Sequence, residues 1–203
     1  MANVNSAFGL RPVRTLTGAP WNAQLMKVYF ATGESNNIFL GDPVIFTGTS
    51  DATGQCPSVG IASAGATYPI LGVVVAFDVD PTNLELKYRV ASTARYAYIT
   101  VDPAIVYEVQ CSGTFAITDV GANAVLNAGG GGSTVTGFSS WYLYNTTTPA
   151  ADATYQLTIL GAAKKPNNAV GLYTVVEVKI NISEIFSTYD AHATAWYGSL
   201  GVA

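Results

Sequence analysis

The sequence predicts an all-β chain, a β-sandwich or jelly-roll-like barrel with extended N- and C-terminal arms. Three observations predict it. Short runs rich in Val, Ile, Tyr and Phe alternate apolar with polar residues at period two, the mark of a strand with one buried face. Clusters of Gly, Pro, Asn and Asp break these runs roughly every ten residues. No run keeps a helical period over the several turns that a stable helix needs.

Residues 1–22 read as an N-terminal arm of Asn, Ser, Gly and Pro, with Phe8, Leu10, Val13 and Leu16 as isolated apolar anchors beside Arg11 and Arg14. A terminus folded onto its own domain is the alternative. The β-domain is expected over residues 23–184. Leu25–Ala31 is its first strand, and Ile38–Thr47 a second apolar passage turned at Gly41-Asp42-Pro43. Gly48–Pro69 reads as an exposed excursion of Gly, Ser, Thr and Ala with weak strand content at Val59–Ala62.

Ile70–Val79 is almost continuously apolar, which predicts a strand covered on both faces. Leu84–Ser92 alternates again. Two further runs flank Asp102-Pro103: Ala97, Ile99 and Val101 before it, Ile105, Tyr107 and Val109 after it, all expected to point inward, with the two strands close together in one sheet. Asn127–Ser133 (NAGGGGS) reads as the most flexible segment. Ser139–Tyr144, Tyr155–Leu160 and the strictly alternating Val176–Ile182 complete the strands. Residues 185–203 form a C-terminal tail in which Trp196 and Tyr197 look like docking anchors.

Only 11% of residues are charged although 49% are hydrophobic, and the mean hydropathy is +0.30. A membrane span, a surface covered by partners, or a sandwich coated in Thr, Ser, Asn and Gly would each account for this. The longest apolar run, Leu71–Phe77, is far shorter than the roughly 18 residues a spanning helix requires, so no membrane is expected. A net charge of −4 leaves no basic surface to neutralise phosphates, and no nucleic-acid partner is expected. The N-terminus carries no apolar signal region, so no secretion signal is expected. Cys56 and Cys111 read as free thiols. The tryptophans, Trp21, Trp141 and Trp196, all fall outside the interval between them, which excludes the immunoglobulin pattern.

The residues offer little covalent chemistry. His192 is the lone histidine, and no Gly-x-Ser-x-Gly elbow presents a serine to it. Asp78 and Asp80 supply fewer oxygens than a hard cation needs, and Gly129–Gly132 lacks the lysine of a phosphate loop. No enzyme, metal or cofactor is therefore expected. The exposed rings of Tyr96, Tyr98 and Trp141 keep open a second reading, a carbohydrate- or host-receptor-binding domain.

The opening MANVNSAFGLRPV, the GDPV turn at Gly41–Val44, LGVVVAF at Leu71–Phe77, YRVASTARYAYITVDPAIVYEVQCSG and the following DVGANAVLNAGGGGSTVTG resemble a family of tailed-bacteriophage head proteins. Its members are typically encoded beside the major capsid protein and are read as capsid decoration, or cement, proteins. Cys111 departs from the pattern, where a polar residue is more usual. The resemblance implies a structural virion protein on the outer surface of the capsid, bridging neighbouring capsomers. The major capsid protein and further copies of the chain would be its partners, with a homotrimer favoured over a dimer. The residues expected to make these contacts are Phe8, Leu10, Arg11, Arg14, Trp196 and Tyr197.

Overall fold

In the computed structural model, which describes residues 3–145 and 149–186 and the backbone of residues 188–189 and 196–197, two β-bodies share one wall. The strands are β1 (Arg11–Thr15), β2 (Met26–Phe30), β3 (Pro43–Ser50), β4 (Pro57–Ile61), β5 (Gly72–Phe77), β6 (Arg95–Thr100) and β7 (Ile105–Gln110). They continue as β8 (Asn123–Asn127), β9 (Tyr142–Tyr144), β10 (Leu157–Ala162), β11 (Val175–Ile180), β12 (Thr188–Tyr189) and β13 (Trp196–Tyr197). One 3-10 turn, Ile117–Asp119, is the helical element among the described residues. The all-β expectation holds.

The first body is a closed barrel in the order β2-β4-β3-β5-β6. Its one parallel contact pairs Tyr29 with Ser58, and the remaining pairs are antiparallel. The second body is a sheet ordered β1-β7-β11-β10-β8-β9. It curls until β9 returns beside the end of β7, where Leu143 bridges Cys111 and the Ser112 amide donates to the Leu143 carbonyl at 3.0 Å. Closure of this kind leaves few unpaired strand edges.

Each body encloses its own core. Val28, Phe30, Val44, Val59, Ala97 and Ile99 fill the barrel, and Tyr107, Val109, Trp141, Ile159, Val176 and Val178 are among the residues filling the sheet's concave side. The apolar run through β5 serves both. Leu71 and Val74 enter the barrel core while Ile70 and Val73 enter the other, so coverage on two faces is realised here.

The strands around Asp102-Pro103 are not neighbours. β6 pairs with β2 and β5 in the barrel, whereas β7 pairs with β1 and β11 in the sheet. The Asp-Pro break is the crossing from one body to the other, stabilised by the Ala104 amide donating to the Asp102 carboxylate at 2.8 Å. Alternation reports that a face is buried and is silent about which core buries it. Ala97, Ile99, Ile105, Tyr107 and Val109 are buried as expected, and Val101 is half-buried.

Two other expectations are corrected. The strand content expected at Val59–Ala62 within the Gly48–Pro69 excursion is present as β4, but that part is not exposed: Ser58, Val59 and Gly60 are buried against β3. Leu84–Ser92 forms no strand, because two arginines take its surroundings instead. Arg89, with 0% of its surface exposed, donates to the carbonyls of Ala31, Glu34, Asn36 and Thr93 at 2.7–2.9 Å. Arg95 likewise reaches the carbonyls of Asp78, Leu86 and Tyr88. A segment whose carbonyls are held by guanidinium groups does not need a sheet partner for them.

A third buried polar group joins the bodies. Gln156, also fully buried, accepts from the amides of Gly65 and Leu126 and donates to the carbonyls of Ser63 and Tyr68. All four of its hydrogen-bonding positions are filled, which is what makes such burial tolerable.

Candidate functional site

The N-terminal segment does not hang free. Arg11–Thr15 is the edge strand β1, paired antiparallel with β7 from Arg11 opposite Glu108 to Thr15 opposite Ile105, with a register shift between Pro12 and Arg14. Pro12 is tolerated there because an edge strand has amides that need no ladder partner. The outer edge of β1 is covered in turn, since the Thr15 amide donates to the Ala19 carbonyl at 2.9 Å and the Trp21 amide to the Val13 carbonyl at 3.3 Å. The arm over residues 1–22 is thus corrected for this stretch: β1 belongs to the sheet.

Its placement also corrects the anchors. Leu10 is 1% exposed and part of the sheet's core, so it cannot enter a partner without leaving its own domain. Arg11 donates to Glu108 at 2.9 Å, and Arg14 to Glu177. Glu108 and Glu177 lie directly opposite each other across β7 and β11, a repulsive pairing. Arg11 and Lys165, both ion-paired to Glu108, and Arg14 on Glu177 neutralise it, so these arginines pin β1 to the sheet. The side chains of Trp196 and Tyr197 lie outside the described residues, as does His192.

Phe8 remains available. Its ring is flanked by the Arg11 guanidinium 4.7 Å from the centroid and the Lys165 ammonium at 5.5 Å, and it lines a cleft of about 750 Å³ where the two bodies and the N-terminal segment meet. Trp21, Leu40, Val75 and Phe138 supply further apolar lining, Arg11 of β1 and Leu10 just before it contribute from the N-terminal segment, and Ser133, Thr136, Ser139 and Ser140 provide hydroxyls. The indole Nε1 of Trp21 is buried without a partner. Cleft size and chemistry fit an inserted side chain or short segment of a partner.

The cleft's floor is the turn at residues 39–42, tied to everything around it. The Leu10 amide donates to the Gly41 carbonyl (3.0 Å), the Gly9 amide to Trp141 (3.0 Å), the Ser139 amide to Leu40 (2.9 Å), and the Gly41 amide to Val74 of β5 (2.8 Å). Packing is backbone against backbone: a Cβ on Gly41, whose φ is +94°, would lie 2.6 Å from the Phe8 carbonyl. Only glycine satisfies both conditions. Beneath this turn Asp42 is 1% exposed. Its Oδ2 accepts the Phe39 amide at 2.8 Å while Oδ1 has no partner. Burial pushes its carboxyl up to about 7, with the Ser139 hydroxyl and the Phe39 amide opposing only in part.

The barrel's outer face carries the tyrosines. Tyr96 and Tyr98 are half-buried, and their hydroxyls donate to Asp51 at 3.0 Å and Asp78 at 2.8 Å. Lys27 is paired with Asp78 at 2.8 Å and sits 4.5 Å above the Tyr96 ring. A sugar approaching that ring meets the lysine first. Trp141 is 2% exposed and offers no stacking surface. Asp80 accepts from Thr82, and no cluster of metal-ligating side chains occurs among the described residues. The glycines at 129–131 are gathered around the Ser140 hydroxyl, which lies within reach of the Gly129 and Gly131 carbonyls.

Sequence reasoning selected Phe8, Leu10 and Arg11, which the fold brings to one cleft, and Arg14, which it places on the sheet's outer face. It missed Trp21, Leu40, Val75 and Phe138. These come from four separate segments, and no local signal connects them. No family model, curated protein or solved structure matches the chain.

Proposed function

We propose that the chain is a structural virion protein that binds the outer surface of an icosahedral phage head and cements neighbouring capsomers against the pressure of packaged DNA. The observation that carries this reading is the seam cleft: an apolar recess of about 750 Å³, rimmed by Phe8, Arg11 and Phe138, on a chain with only 11% charged residues. Phe138 is 49% exposed beside it. A recess of this kind suits an apolar anchor from the major capsid protein, surrounded by a polar rim of serine and threonine hydroxyls.

The mechanism is thermodynamic. A ligand that engages only the closed junction between capsomers stabilises that junction by mass action. Contact areas near the standard of about 1,600 Å² suffice for stable binding. A homotrimer, the assembly favoured here, engages several capsid subunits at once and gains effective concentration from doing so. The family resemblance supports the same partner and location. The carbohydrate-binding alternative loses support from the burial of Trp141 and the lysine cover on Tyr96.

Binding to expanded, empty heads tests the reading. Phe8→Ala and Phe138→Asp change a half-buried and an exposed cleft residue without removing β1, and each is expected to weaken decoration at least about tenfold, the scale of a hot-spot truncation. Their thermal transitions should stay near that of the parent protein. Unchanged decoration by both variants would show that the cleft is not the capsid-binding site.

A further inference from the structure

We propose that Asp42 is a pH-sensitive latch under the seam cleft: neutral, it holds the 39–42 turn against the N-terminal segment and the 137–141 segment, and ionised, it loosens both contacts. The geometry is that of a carboxyl placed where three segments converge. Asp42 follows Gly41, whose carbonyl receives the Leu10 amide, and Leu40, which exchanges hydrogen bonds with Gly137 and Ser139. Its own backbone carbonyl accepts the Val74 amide at 2.9 Å. Any movement of the Asp42 side chain acts on all three segments, because Gly9 and Gly41 leave no space between the backbones.

Only one of its oxygens is satisfied. Oδ2 folds the turn by accepting the Phe39 amide, and Oδ1, buried without a partner, is suited to carry the proton. An ionised carboxylate requires several donors, and the groups acting on this one are the Phe39 amide and the Ser139 hydroxyl. No charge compensates. Arg11, from the N-terminal side, is paired with Glu108. Arg89, which bridges Ile38, is directed at the carbonyls of Ala31, Glu34, Asn36 and Thr93. Lys87, packed on Gly137, donates to the Val135 carbonyl. β5 contributes Val74 and Val75, and the 137–141 segment contributes Gly, Phe, Ser and Trp, none of which is charged.

Ionisation therefore drives the carboxylate toward water, and the nearest route is the cleft lined by its neighbours Gly41 and Ser139. The latch concerns the opening of the cleft and is independent of what occupies it.

Amide hydrogen exchange on the full chain, corrected for intrinsic rates, provides the test. Between pH 5 and pH 8.5 the Leu10 and Ser139 amides should lose protection as the pH rises, by up to about tenfold for each pH unit below the Asp42 midpoint and levelling off above it, relative to amides in the β2–β6 ladder. Asp42→Asn should abolish that dependence. In parallel, carboxyl carbon resonances of the parent protein should show Asp42 titrating near neutrality with the same midpoint as the exchange, and Ser139→Ala, which removes a donor, should move the midpoint up. The parent titration stands even if a variant does not fold. A midpoint below pH 5, equal pH dependence in Asp42→Asn, or protection lost equally across the β2–β6 ladder would each overturn the latch.

Discussion

Replacing Arg89 with methionine should destabilise the protein by about 2 kcal/mol, and the structure shows where the loss arises. The guanidinium reaches four carbonyls. Two of them retain other donors: Ala31 keeps the Glu34 amide and Glu34 keeps the Ser92 amide. The carbonyls of Asn36 and Thr93 are left to the guanidinium; both residues are exposed, so water takes up part of each lost bond and holds the cost to about 1 kcal/mol apiece. Relief of the desolvation of a buried cation offsets part of this, while methionine also forfeits the guanidinium's place 5.8 Å from the Phe30 ring centroid. Urea unfolding followed by tryptophan fluorescence measures the change as a shift in midpoint at constant slope. Arg89→Lys is the internal control. A single ammonium cannot span a fan of four carbonyls, so it should recover less than half of the loss. If Arg89→Met unfolds within about 0.5 kcal/mol of the parent, the ordinary range of surface substitutions, the four carbonyls do not depend on the arginine.

Asp51 shapes the acid limb of stability. Hydrogen bonds from Thr53 first, and from Cys56, Tyr96 and Gln55, hold its carboxyl down at about 2 against an ordinary 3.8. A depressed folded-state value contributes stability that is complete above about pH 4 and is lost as the pH falls toward 2. In thermal melts from pH 7 to pH 2, Asp51→Asn should lie below the parent at neutrality and converge on it in acid; parallel curves would show that the carboxylate is not favoured by folding. Leu10→Ala, which empties a site 1% exposed in the sheet core, should cost about 2–5 kcal/mol. A loss below about 1 kcal/mol in the same urea assay would mean that the N-terminal segment is not part of the folded core.

What the sequence disclosed follows from the range of the forces involved. Alternation in Arg95–Thr100, Ile105–Gln110 and Val175–Ile180 is written by local burial, and those strands form where the pattern places them. Leu84–Ser92 alternates just as well and forms no strand, because the guanidinium groups of Arg89 and Arg95 compete for the carbonyls around it, and periodicity carries no record of that competition. β1 has the local composition of an arm because its partner lies 97 residues away at Glu108. Trp141 and Asp42 show the same limit from the other side: in sequence one is an aromatic beside a turn and the other an ordinary turn residue, and only tertiary packing buries them. The cleft, assembled from distant segments, was legible only through Phe8, Leu10 and Arg11.

The pairing of β1 with β7 also bears on the order in which the protein is made. All five barrel strands lie between Met26 and Thr100, so the barrel can close on the ribosome as soon as that stretch has emerged. β1 leaves first yet waits for Glu108 and, through Arg14, for Glu177. During that interval Leu10, the residue before β1, has no core to enter, and loop closure over such a separation is slow compared with local pairing. The strand that is synthesised first is among the last to be completed. Until then, the N-terminal segment of one nascent chain and the unfinished sheet of another are open to each other.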